Sequence, residues 1–315
     1  MSRSTRRHFL QASAAVAVAG WGLGRALAAE PGSGQRLKTC LFSGMFKGVP
    51  LKATLETARA IGFDGIEIAA GYGTDHLDVN CTPERAQEIK AMAAENHLGI
   101  ALIYPSLGSN VLQGEKQRTE GLEAVERFLT IGDHMACKMV KVGAGRLKNS
   151  AFQEDEAKVV AAWIAQACDR AAQHGARIVT EIHFGQYCET APMARRMIDL
   201  VNRPNYGVIH DAGNMHIAGD SYTDKAVELL GDRIFHVHIK DMVQAPATDD
   251  KAHDYPAGRF KRASLGQGNV DHLGLFRALR RIGYQGYLSC EATGGDDPVA
   301  VAKHELAEVQ RLLKL

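Results

Sequence analysis

Arg233–Asp241 reads RIFHVHIKD. It begins like a buried strand and ends with two histidines, a lysine and an aspartate. Side chains alternate across a strand. Phe235, Val237 and Ile239 therefore share one face, and His236, His238 and Lys240 share the other. In a closed barrel one strand face meets a layer of helices and the other fills the interior. That division accounts for both halves of the nonapeptide, with the polar face turned inward.

The rest of the chain supplies the strands such a barrel needs. KTCLFSG, GFDGIEIA, GIALIYPS, KMVKVGAG, RIVTEIHFG, YGVIHDAGN and GYLSCEAT are further short apolar runs. Longer amphipathic stretches separate them, among them LKATLETARAIG, a run opened by Thr82-Pro83, DEAKVVAAWIAQACDRAAQHG and VDHLGLFRALRRIG. Eight strands alternating with eight helices predict parallel βαβ units. One α/β domain, a (β/α)8 (TIM) barrel over residues 37–315, has the usual length for that fold, about 250 residues. A doubly wound open sheet is the alternative, and no glycine-rich nucleotide fingerprint follows the first strand to support it. Val243–Gly268 is the one long connection, expected to overhang the C-terminal face as a lid.

The N-terminus reads differently. Arg6-Arg7 precede Phe9 and Leu10, an Ala-rich stretch runs from Ala12 to Gly24, and Ala26–Ala28 offer a cleavage site. These parts resemble a twin-arginine export signal over residues 1–28, followed by a linker, 29–36. The expected localisation is the periplasm or the cell exterior. Residues 1–28 carry Arg3, Arg6, Arg7 and Arg25 and no acid, so 37 basic and 36 acidic residues become 33 and 36 without them, a net charge of −3. A nucleic-acid partner is not expected at that balance. No run approaches the ~18 apolar residues of a spanning helix, so no membrane contact is expected beyond export. The six cysteines form no CxxC or metal-ribbon spacing, and read as buried small hydrophobes.

Sorted by alternation, inward positions gather polar groups near the C-terminal ends of the strands, where barrel enzymes build their sites. Glu67 comes from the second strand, Lys141 from the fourth, Glu181 and His183 from the fifth and Asp211 from the sixth. His238 and Lys240 follow from the seventh, and Glu291 from the eighth. Glu181, Asp211, His238 and Glu291 stand on four consecutive strands. Neighbouring strands are about 4.8 Å apart, so the four can converge on one point. Three carboxylates crowded without a cation would repel one another. Three oxygen donors with one imidazole suit a single divalent ion: Mn²⁺ first, with Mg²⁺, Co²⁺ or Zn²⁺ as alternatives.

In this order the motifs GFDGIEI, Glu-x-His, DAGNMHIAGD, HVHIKD, LGQGNVD and the last strand's Glu resemble the xylose isomerase-like barrel superfamily of sugar isomerases and epimerases. The resemblance spans nearly the whole chain after residue 36. It implies one divalent metal on Glu181, Asp211, His238 and Glu291, with Glu181 and Glu291 also moving protons. It implies substrate contacts from His183 and Lys240. Many epimerases of the family carry histidine where Asn214 stands here, which leaves the metal set intact and the substrate open. Asn214, Glu67 and His236 are further candidates for substrate binding; a structural ion pair between Glu67 and Lys141 is the competing reading of Glu67. His210 is expected to face outward, His253 and Asp254 to be solvated, and Trp163 to be core.

The expected activity is isomerisation or epimerisation of a sugar or keto-sugar through a metal-stabilised enediolate. A lyase or dehydratase acting on a 3-keto-sugar or keto-glycoside shares that intermediate and is the alternative. An abasic-site endonuclease needs extra histidines, one of them at Asn214, and a basic face. A non-catalytic sugar-binding barrel has no need of both glutamates. A homo-oligomer is compatible with the sequence.

Overall fold

The computed structural model describes residues 36–71, 74–147, 152–291 and 297–315. The signal and nearly all of the linker read from the sequence lie outside the described residues. Eight parallel strands close a barrel: β1 (Lys38–Phe42), β2 (Gly65–Ala70), β3 (Gly99–Pro105), β4 (Met139–Lys141), β5 (Arg177–Glu181), β6 (Tyr206–Asp211), β7 (Ile234–Ile239) and β11 (Tyr287–Cys290). The outer layer is α1 (Leu51–Ile61), α2 (Pro83–Glu95), α3 (Glu115–Met135), α4 (Glu154–Gln173), α5 (Ala191–Val201), α7 (Asp224–Leu230), α8 (His272–Arg281) and α9 (Pro298–Leu312). The expected (β/α)8 barrel is thus the observed fold. Among the described residues no helix is long and apolar enough to cross a membrane.

Local chemistry starts the helices where the sequence suggests. Thr82 caps α2 by accepting from the Arg85 N–H, and Thr190 caps α5 by accepting from the Met193 N–H, each with proline in the first turn. The apolar residues sort into two sets. Val237, Ile239, Leu288 and Cys290 join the large layer between strands and helices. Cys40, Phe42, Leu102, Tyr104, Val179 and Ile209 fill the barrel interior. Trp163 is core, as expected, and donates its indole N–H to the Arg118 carbonyl at 3.0 Å. The six cysteines are unpaired; five are buried and Cys81 is half-buried.

Three features depart from the sequence reading. First, β6 pairs with β7 through a register shift, Val208 opposite Ile234 but Ile209 opposite His236. Phe235 is the extra residue of that bulge and packs against the interior set instead of the helix layer. Second, DAGNMHIAGD contains an unpredicted helix, α6 (Ala212–Ala218). Third, the lid is not a loop. β8 (Asp241–Gln244), β9 (His253–Tyr255) and β10 (Gly258–Ala263) form a three-stranded sheet in the order β8-β10-β9. His253 and Asp254 lie in β9, exposed as expected. The lid packs through Phe260 on His216 of α6, ring centroids 5.3 Å apart, and through Tyr255 on Phe184 after β5, also 5.3 Å.

Asp241 anchors the lid's return. Its Oδ1 accepts from the Met242 and Val270 N–H groups at 2.9 and 3.2 Å, and its Oδ2 from Gly266 and Gly268 at 3.0 and 2.9 Å. A Cβ on Gly268 would lie 2.0 Å from Asp241 Oδ1, so only glycine lets the backbone approach this closely.

Candidate active site and metal centre

The four candidate ligands read from the sequence meet at the C-terminal mouth. One ligand-capable atom from each of Glu181, Asp211, His238 and Glu291 lies within 4.8 Å of the others, and all four residues are buried. His238 Nδ1 stands 3.4 Å from Glu181 Oε1, 3.5 Å from Glu291 Oε2 and 3.7 Å from Asp211 Oδ2. Asp211 is placed by its own helix start. It caps α6, its Oδ1 accepting from the Asn214 N–H at 2.8 Å, and Oδ2 is left to face the cluster.

One buried atom aimed at this point, His238 Nδ1, makes no hydrogen bond, and Asp211 Oδ2 beside it is met only by the Lys240 ammonium. Orphaned buried polar atoms are rare. Here the two converge with two carboxylate oxygens, the donor set a hard or borderline divalent ion takes. The residues therefore fit the metal that the sequence predicts.

Beneath the cluster, Glu67 is fully buried. It accepts from His236 Nε2 at 3.0 Å, His238 Nε2 at 3.2 Å and Ser289 Oγ at 2.7 Å. With the Nε2 proton given to Glu67, the Nδ1 lone pair of His238 faces the cluster. This carboxylate–imidazole relay commonly fixes a ligating histidine. Glu67 and His236 thus sit under the ligand set and support His238; neither lines the cavity, and the Glu67 partners are histidines and a serine. Lys141 lies over the Tyr104 ring instead, 4.5 Å from its centroid.

Lys240 and Asn214 are also placed among the candidate ligands. Lys240 Nζ is 2.8 Å from both Asp211 Oδ2 and Glu291 Oε2. Gly213 allows this, since a Cβ there would meet Lys240 Cγ at 2.6 Å. Asn214 Nδ2 donates to Glu181 Oε1 at 3.0 Å and to the Ile182 carbonyl at 3.1 Å. Of the residues expected to touch substrate, His183 lines the cavity, its Nδ1 bonded to the Phe184 carbonyl at 2.8 Å.

The charges respond to this crowding. Burial alone would raise the Glu181 carboxyl, but the adjacent His238 imidazole and the charges of His183 and Lys240 hold it well below the usual range. Burial is likewise overridden at Glu291, chiefly by Lys240 and then His238, and at Glu67, held at about 2 by His238 and His236. Burial opposes charge on His238, yet Glu67 and Glu291 push it well above the ordinary imidazole range.

The mouth opens into a cavity of about 650 Å³. Among the described residues, the only carboxylates lining it are Glu181 and Glu291; Phe42, Met45 and Tyr104 give it an apolar wall. Tyr104, whose hydroxyl donates to Glu181 Oε2, was missed in the sequence. Its signal was available: in GIALIYPS it shares the inward face with Leu102, a polar tip closing an apolar run. Arg262 of the lid also reaches the cavity, donating to the Glu291 carbonyl at 3.1 Å.

What fold and site define is a class, the closed parallel barrels that gather ionisable side chains at the C-terminal strand ends. Within it, the chain belongs to the xylose isomerase-like TIM barrel family, whose model matches residues 55–312. It is 26% identical to the L-ribulose 3-epimerase of Methylomonas sp. (strain DH-1) over 255 residues, covering 80% of this chain and 82% of that one. It is 26% identical to the inosose dehydratase of Lacticaseibacillus casei over 160 residues, covering 50% and 53%. The solved structure of a probable 3-DHS dehydratase from Bacillus anthracis shares the fold with a TM-score of 0.72 at 18% identity, covering 87% of this chain and 99% of that one.

Proposed function

We propose that this chain is an exported, metal-dependent enzyme that moves a proton beside the carbonyl of a sugar or keto-sugar, as an epimerase or isomerase. The observation that carries this reading is the double membership of Glu181 and Glu291. They belong to the convergent ligand set, and they are also the only carboxylates lining the cavity among the described residues.

Glu181, Asp211, His238 and Glu291 would hold one divalent ion, with Mn²⁺ the first expectation. The ion would supply the Lewis acid that polarises a carbonyl and stabilises charge developing on its oxygen. The remaining work falls to side chains. Both glutamates are held ionised, the state a base requires. One takes the proton from the carbon beside the carbonyl. For the epimer, the other glutamate must first take up a proton from solvent and then deliver it to the opposite face; return of the abstracted proton by the first glutamate to the adjacent carbon gives the aldose–ketose isomer. Tyr104 and Asn214 fix Glu181 from two sides. Lys240 offsets the third carboxylate charge.

The dehydratase reading remains second, favoured by the half-length similarity to inosose dehydratase. There one glutamate takes the proton and an acid assists the leaving hydroxyl, a role within reach of the Tyr104 hydroxyl.

Metal-loaded protein incubated in D₂O with a panel of ketoses and 3-keto-sugars tests both. Deuterium uptake at one carbon is expected. Glu181→Gln and Glu291→Gln should each lower exchange by about 10²- to 10⁴-fold in an epimerase. A large loss at one position alone points to the lyase. Wild-type exchange in both variants, with metal retained, refutes the mechanism.

A further inference from the structure

We propose that the substrate carries a carboxylate, held at the rim of the cavity by Arg146, Lys47 and Arg262; this rests on the sugar-binding reading above. The three cations come from three separate segments: the connection after β1, the segment after β4, and lid strand β10. All three are exposed and all three line the cavity.

Elsewhere on the molecule, exposed and half-buried arginines are commonly matched by acids. Arg36 pairs with Asp64, Arg196 with Glu154, Arg203 with Asp169 and Arg281 with Asp224. At the rim that pattern stops. Among the described residues Lys47 and Arg146 make no ion pair, and Arg262 donates only to a backbone carbonyl, that of Glu291. The carboxylates below do not fill the gap. Asp211 and Glu291 are engaged by Lys240, and Glu181 by Tyr104 and Asn214. One divalent ion together with the Lys240 ammonium matches the three ligand carboxylates. The positive charge at the rim is thus left for something that enters the cavity.

The geometry favours a carboxylate over a phosphate. Barrel enzymes often cradle phosphate on backbone amides at a helix N-terminus after the last strands. Here Pro298 and Val301 bring the start of α9 to the cavity, but that start is already capped. Asp297 Oδ1 accepts from the Val299 and Ala300 N–H groups at 2.9 and 3.1 Å, placing a negative charge where phosphate would sit. What remains are side-chain donors, and a guanidinium matches a planar carboxylate with two parallel hydrogen bonds.

The test uses three unreactive polyols of one skeleton, so it does not depend on turnover: D-gluconate, D-glucitol and D-glucitol 6-phosphate. Each is titrated calorimetrically into the metal-loaded full chain. Gluconate should bind at least about tenfold more tightly than glucitol, with the advantage shrinking as salt is raised. Arg146→Gln should remove most of that advantage, and Arg146→Lys should restore part of it, charge without the planar fork. The Arg146 side chain is exposed, so neither substitution opens the core. Equal affinity for gluconate and glucitol overturns the proposal, as does undetectable gluconate binding. A gluconate preference untouched in Arg146→Gln overturns it too, since the carboxylate is then captured by the metal set. Tighter binding of the phosphate overturns the choice of anion. If no keto-sugar exchanges deuterium while gluconate binds through Arg146, the proton-transfer reading fails and the anion site stands.

Discussion

Replacing Glu67 with glutamine changes one atom at a position that touches no cavity, yet it should disable the metal centre. The carboxylate takes three donors: His236 Nε2, His238 Nε2 and Ser289 Oγ. A glutamine keeps one accepting oxygen and introduces an NH₂ that can only donate. If that NH₂ faces His238, the neutral imidazole must accept at Nε2, and its proton moves to Nδ1. Nδ1 is the atom 3.4 to 3.7 Å from the three candidate carboxylate ligands, and protonated it cannot bind a cation. Loss of such a supporting carboxylate typically weakens metal binding by about 10- to 100-fold. If the oxygen faces His238 instead, His236 or Ser289 is left unsatisfied in a dry interior, at about 1–3 kcal/mol of fold stability. One of the two effects must appear. Competition against a chromophoric chelator gives the affinities for Mn²⁺ and Zn²⁺, and thermal unfolding gives the stability. Nitrogen chemical shifts of His238 report the tautomer. Wild-type affinity and wild-type stability together in Glu67→Gln would refute the relay.

Two further outcomes follow from groups away from the ligand set. Asp241→Asn replaces one of two oxygens that together accept four backbone N–H groups; it should destabilise the protein by about 1–3 kcal/mol and speed proteolysis within residues 243–268, and an unchanged cleavage rate would remove Asp241 as the lid's anchor. Glu305 of α9 is pushed up to about 7 by burial, although its Oε1 accepts from the Leu265 N–H at 3.1 Å. A carboxyl raised in the folded state contributes fully below its unfolded pKa, about 4.3, and loses that contribution as pH rises through about 7. Glu305→Gln keeps the accepting oxygen and should flatten this loss, gaining at most about 4 kcal/mol relative to the parent at pH ~8. Parallel pH–stability curves for the two proteins would show that Glu305 does not titrate in this range.

The barrel was legible because its two periods are strong. Strands β5, β6, β7 and β11 each alternate cleanly enough to sort Glu181, Asp211, His238 and Glu291 to one side. His210 follows the same rule and is buried, a half-turn of the strand away from Asp211. What escaped the reading had weak local signals. Helix α6 has only seven residues, too few for a helical repeat to emerge, and its cap is Asp211, already read as a ligand. Strands β9 and β10 read HDY and GRFKRA, polar enough to pass for a loop, because only Phe260 of β10 is buried. The bulge at Phe235 inserts a single residue, and an alternation count cannot see that its partner strand skips. The role of Glu67 needed three strands at once: its donors come from β7 and β11, 169 and 222 residues away.

The polar end of RIFHVHIKD now divides by depth. His236 lies lowest and meets Glu67, away from any solvent. His238 shares Glu67 from above and presents Nδ1 to the carboxylates. Lys240 is one step higher and places its ammonium between Asp211 and Glu291. Asp241, the next residue, leaves the barrel and clasps the backbone on which the lid returns. The lid carries Arg262 back to the carbonyl of Glu291, a proposed ligand and base. One strand end therefore joins the buried support, the ligand set and the lid within the six residues from His236 to Asp241. A shift of β7 by one residue would turn His236, His238 and Lys240 toward the helices together. The bulge at Phe235 sits before all three, so it is placed where it can set that register for the whole site.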